Sequence, residues 1–144
     1  MTGAWHGAGG VPAAECHMTL AFLGTTGAAE KAVFMEQAQA VGGEAFTIRL
    51  GRLAIWEKAG VVVLEPVSMP ASGVRLAERL REGAARMGRP LQEYRPHVTL
   101  ARGQKDLAGG TSVAVDWLVE DFVLARSDPA ASPRYAILAR WPLS

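Results

Sequence analysis

The stretches "HMTLAFLG" (residues 17–24) and "HVTLARGQ" (residues 97–104) decide how this chain is read, because both open His-x-Thr-Leu-Ala. The chain has only three histidines, and two of them, His17 and His97, stand in these near-copies 80 positions apart. In an extended strand residues i and i+2 point the same way. His17 and Thr19 then share a face, with Ala21 beyond them, and His97, Thr99 and Ala101 do the same in the second copy. Met18, Leu20, Val98 and Leu100 are expected to point into a core. Each copy delivers an imidazole and a hydroxyl to one surface.

Outward from these motifs the pattern alternates between strands and helices. Residues 15–23 read as a strand ending at Gly24. "TTGAAEKAVFMEQAQAVGG" reads as a helix capped by Thr25 or Thr26, with Phe34, Ala38 and Val41 on one face and Gly42-Gly43 as the stop. "AFTIRLGRLAIWEKAGVVVLEPV" predicts two or three strands turning at "EKAG". After "SMPAS", Leu76, Leu80, Ala84 and Met87 form an apolar helical stripe that Gly88 and Pro90 end. "YRPHVTLAR", "SVAVDWLVEDFVLAR" and "RYAILARWPL" read as strands, with the turn "SDPAASP" before the last. The order predicts an α+β fold with mainly antiparallel pairing and a pseudo-twofold internal duplication.

Composition narrows the functional classes. At 144 residues the chain is expected to be a single domain, with 1–14 a loose Gly- and Ala-rich arm and 15–144 the folded body. A net charge of +1 argues against a long electrostatic track for duplex DNA or a membrane surface. Arginine supplies 12 of the 15 cations, which suits a local phosphate pocket. No apolar run is long enough for a membrane span, the start does not read as a signal peptide, and the single cysteine fits a reducing interior. The cytoplasm is the expected compartment.

Two imidazoles and two hydroxyls around one gap suit phosphodiester chemistry. An unperturbed histidine titrates near pH ~6.5, so one ring can accept a proton while the other donates one. The threonine hydroxyls can hold the non-bridging oxygens. A zinc site would need three or four ligands. Only Glu15 joins the two histidines, and no His-Glu-x-x-His or Cys-x-x-Cys spacing is present.

The paired motifs resemble those of the 2H phosphoesterases, and within them the RNA 2′,3′-cyclic phosphodiesterases, also called 2′-5′ RNA ligases. The resemblance covers about residues 15 to 142. It implies a bilobal fold, with two antiparallel sheets lining a central cleft, helices outside and no metal or other cofactor. The family's first strand and helix are expected to be absent, since sixteen residues precede His17. It also implies hydrolysis of RNA or nucleotide 2′,3′-cyclic phosphates to 2′-phosphates, and 2′-5′ ligation in reverse. His17 and His97 then serve as acid and base, and Thr19, Thr99 and Arg102 bind phosphate. Phe22, Arg95, Tyr94 and Trp56 are candidates for base or rim contacts, although simple alternation turns Phe22 and Arg102 off the histidine face. Cys16 is expected to be a small buried hydrophobe and His6 inert. The alternative is a non-catalytic module that binds RNA ends or nucleotides in the same pocket.

Overall fold

A computed structural model describes residues 16–89, 93–102, 114–128, 130 and 134–144. It contains α1 (Ala28–Val41), β1 (Phe46–Trp56), β2 (Val61–Ser68), α2 (Ala71–Arg86), β3 (Val98–Arg102), β4 (Val115–Val119), β5 (Asp121–Ser127) and β6 (Tyr135–Pro142). The fold is α+β, as expected: a four-stranded sheet ordered β3-β2-β1-β4 and a two-stranded sheet of β5 and β6. The β1–β2, β2–β3 and β5–β6 pairs are antiparallel. The expectations for residues 1–14, for His6 and for Glu15 fall outside the described residues. Among the described residues no helix is long and apolar enough to cross a membrane.

Two compact units divide the chain. The first comprises the chain through Thr19, Ile48–Met69 and Pro96–Trp117. Its centre is β2, whose run Val61-Val62-Val63-Leu64 is buried along its whole length. Successive strand residues face opposite sides, so an unbroken apolar run belongs in a strand covered on both faces. "EKAG" forms the hairpin turn. Gly60 adopts φ 65°, and its N–H donates to the Trp56 carbonyl at 2.8 Å. Gly tolerates that left-handed backbone without steric cost.

The second unit comprises Leu20–Thr47, Pro70–Arg95 and Leu118–Ser144. Here α1 packs on α2. Phe34 and Ala38 of α1 are buried, as are Gly73, Leu76, Ala77, Gly83 and Ala84 of α2, while Leu80 and Met87 are half-buried. The helix start differs from the expected Thr25 or Thr26. Gly27 is the N-cap of α1, and its N–H donates to the Glu30 carboxylate at 3.2 Å. The Thr26 hydroxyl donates instead to the Gly24 carbonyl at 3.0 Å, so it is spent on the preceding turn. Glu30 also pairs with Arg89 at 2.7 Å, tying the start of α1 to the chain just after α2. Phe122 and Trp141 stack across β5 and β6 with ring centroids 5.4 Å apart.

Two strand expectations change. Residues 15–23 do not form a regular strand over their described part: Met18 makes an isolated bridge to Val98, and the chain bends at Leu20. The stretch "SVAVDWLVEDFVLAR" yields two strands in different sheets, broken at Glu120, whose carbonyl accepts from Leu143 N–H at 2.8 Å.

Candidate active site

The bridge between Met18 and Val98 brings the two motifs together within the first unit. In an antiparallel pair the residues flanking a bridge oppose one another in reverse order. His17 therefore lies opposite Thr99, and Thr19 opposite His97. Met18 and Val98 turn to the other side, where Val98 is fully buried. By that register the four motif side chains stand at the corners of a square in which imidazoles and hydroxyls alternate. Opposed Cβ atoms in such pairs are ~5 Å apart and diagonal ones roughly 7–8 Å. The two imidazoles thus spring from one diagonal of this square. Cys16 reinforces the junction, its Sγ lying 3.9 Å from the Thr99 carbonyl as a weak donor.

The register of β2 and β3 determines what else reaches this surface. Val63 pairs with Thr99 and Val62 with Ala101, so Leu100 is an extra residue in β3. This β-bulge reverses the alternation. Ala101 does not share a face with His97 and Thr99; it pairs with Val62 on the opposite side and is fully buried. Arg102 pairs with Val61 and so shares the Thr99 face, where it is exposed. Simple alternation turned Arg102 away, and the inserted residue turns it back.

Carrying the register on to β1 completes the surface. Arg52 pairs with Glu65, Ala54 with Val63 and Trp56 with Val61. Arg52, Glu65 and Trp56 therefore lie on the face of His17, Thr19, His97, Thr99 and Arg102. The opposite face carries Leu53, Ile55, Val62, Leu64, Val98 and Ala101, all apolar. Glu65 sits level with His97, one step beyond the Leu64–Val98 pair. Arg52 and Glu65 were missed from sequence; their only signal was charge within largely apolar strands, a signal Arg49 shares, and face membership needed the register.

The remaining candidates separate. The Trp56 ring packs on the His97 imidazole, with centroids 4.2 Å apart and planes tilted by 53°. Phe22, Tyr94 and Arg95 belong to the second unit. Phe22 is 79% exposed. The Tyr94 ring lies under the Arg81 guanidinium, 5.3 Å from its centroid. Burial pushes the Tyr94 hydroxyl up to about 12, with Arg81 pulling in the opposite direction.

Comparisons with known proteins place these features in a family. A profile of the 2′-5′ RNA ligase superfamily matches residues 4–129. An Escherichia coli (strain K12) protein, RNA 2′,3′-cyclic phosphodiesterase, is 32% identical over 139 residues, spanning 93% of this chain and 79% of that protein. The crystal structure of E. coli LigT complexed with 3′-AMP superposes with a TM-score of 0.85 at 31% identity, covering 94% of this chain and 80% of LigT. A crystal structure of a phosphoesterase gives a TM-score of 0.86 at 30% identity, covering 97% of this chain and 85% of that one. With two His-x-Thr motifs meeting on one sheet face and these matches along nearly its whole length, the chain belongs to the 2′-5′ RNA ligase superfamily, a phosphoesterase of the 2H class.

Proposed function

We propose that the protein opens 2′,3′-cyclic phosphate ends of RNA or nucleotides to 2′-phosphates by acid–base catalysis through His17 and His97. The observation that carries this reading is the antiparallel bridge Met18–Val98, whose register sets each histidine opposite the other motif's threonine. His97 takes a proton from water, whose oxygen bonds to phosphorus. The bond from phosphorus to the 3′-oxygen breaks, and His17 protonates that oxygen. Nucleophile and leaving oxygen lie on opposite sides of phosphorus in such a displacement, the geometry that diagonal imidazoles serve. Thr19 and Thr99 donate to the non-bridging oxygens, where charge accumulates. Arg102 adds a planar pair of donors suited to phosphate.

A 5′-hydroxyl attacking in place of water gives a 2′-5′ linkage with the same bond broken, so ligation uses the same groups. Relatives support a nucleotide-sized ligand: LigT has been crystallised with 3′-AMP and with phosphate. The single cysteine of the sequence supports a reducing compartment such as the cytoplasm.

The test is incubation with a nucleoside 2′,3′-cyclic phosphate in the presence of a chelator. The expected product is the nucleoside 2′-phosphate, with turnover lost in His17→Ala and in His97→Ala while both variants remain folded. A 3′-phosphate product, or near-parental rates in either variant, contradicts the assignment. Tight binding by the parent without turnover identifies a binding module instead.

A further inference from the structure

We propose that Trp56 is a positioning residue for His97, holding the imidazole in its reactive orientation, and that it does not stack on the substrate base. The proposal rests on the acid–base role of His97 given above. Trp56 ends β1 immediately before the hairpin turn, and its indole lies 4.2 Å from the imidazole, centroid to centroid. The pairs Trp56–Val61 and Val61–Arg102 place it on the same face as Thr99 and Arg102. It reaches His97 across that face, from two strands away.

His97 stands where such packing matters. It precedes β3, which begins at Val98, so the ladder to β2 does not fix its backbone. The second torsion of a histidine side chain is broad and roughly twofold, so packing against the ring contributes to which nitrogen is presented. An indole is wide and has only two side-chain torsions of its own. With Trp56 half-buried and its Nε1 buried, the indole is a fixed wall for the smaller ring. The tilt of 53° sets that wall obliquely to the imidazole plane. When His97 accepts a proton, the new charge also faces an electron-rich ring. That attraction strengthens as the reaction proceeds, so it acts on the chemical step more than on substrate binding.

The test compares Trp56→Leu and Trp56→Phe with the parent, measuring kcat and KM on a cyclic mononucleotide and the proton resonances of the His97 ring by NMR. Trp56→Leu is expected to lower kcat on the order of tenfold with KM little changed, the scale of a misplaced reacting group. Trp56→Phe is expected to recover most of that loss. The ring-current displacement of the His97 resonances is expected to vanish in the leucine variant and to persist, reduced, in the phenylalanine variant. A raised KM at parental kcat overturns the proposal in favour of base stacking; unchanged kinetics in Trp56→Leu, or Trp56→Phe as impaired as Trp56→Leu, also overturns it. If Trp56→Leu does not fold, the phenylalanine variant and the parent's His97 resonances decide. A parent without turnover removes the proposed function itself. The NMR comparison, repeated with inorganic phosphate added, still decides whether the indole fixes the imidazole.

Discussion

Replacing Tyr94 by phenylalanine is expected to leave the protein at least as stable at neutral pH and to remove part of its sensitivity to alkali. The Tyr94 hydroxyl is buried and has no hydrogen-bond partner among the described residues. Burying a hydroxyl without a partner costs roughly 1–3 kcal/mol, so its removal relieves a penalty while the ring keeps its packing under Arg81. The same burial raises the Tyr94 pKa from 10.0 to about 12, with Arg81 lowering it in part. The neutral phenol is therefore favoured by folding. Its contribution is fully present below pH ~10, where the unfolded tyrosine is also neutral, and is lost as pH climbs from ~10 towards ~12. At ~1.4 kcal/mol per pH unit, two units set an upper bound of roughly 3 kcal/mol on the loss. Urea unfolding of parent and Tyr94→Phe at pH 7, 9.5 and 11.5 isolates this effect, because every other residue is common to both proteins. The difference between them should widen in favour of phenylalanine between the two alkaline points. Parallel losses across that interval, or a clear destabilisation of Tyr94→Phe at pH 7, would refute the reasoning.

Other substitutions probe the square and its supports. Thr19→Val and Thr99→Val each remove one of the proposed oxyanion donors at constant shape, and kcat on a cyclic nucleotide should fall on the order of 100-fold with the fold intact by circular dichroism. Arg102→Ala is expected to lower kcat/KM by roughly 10- to 100-fold, with Arg102→Lys recovering only part, because an ammonium lacks the planar pair of donors. Gly83→Ala tests the contact of α2 with α1. A Cβ there would meet the Gln37 Oε1 at 2.7 Å, but that atom ends a flexible side chain. The helix-propensity gain of ~1 kcal/mol should therefore hold the urea midpoint or raise it, and a fall would show that Gln37 cannot move. Arg140→Ala breaks an exposed ion pair with Asp121 and should change stability by less than ~1 kcal/mol.

What the sequence disclosed and what it hid divide along a physical line. Both helices, the "EKAG" turn and the paired motifs were legible because each depends on neighbours within a few positions: apolar periodicity, a glycine in a left-handed turn, a repeated phrase. The faces of the strands were not, because a face belongs to a pairing between distant segments. Before the bulge, His97 and Thr99 follow ordinary alternation; after Leu100, Ala101 and Arg102 exchange sides. A one-residue change of register reverses every later side chain, and the sequence "HVTLAR" carries no local mark of it. The same long-range bookkeeping hid Arg52 and Glu65, which share the histidine face only because β1 pairs with β2 as it does. The spacing His-x-Thr-x-x-Arg therefore has a structural meaning that the motif alone lacks. Three groups suited to one phosphate occupy offsets 0, 2 and 5, an even and an odd step, and no regular strand presents all three together. The bulge supplies the missing half-period. If Arg102 acts with His97 and Thr99, the backbone irregularity at Leu100 is as much a part of the site as their side chains.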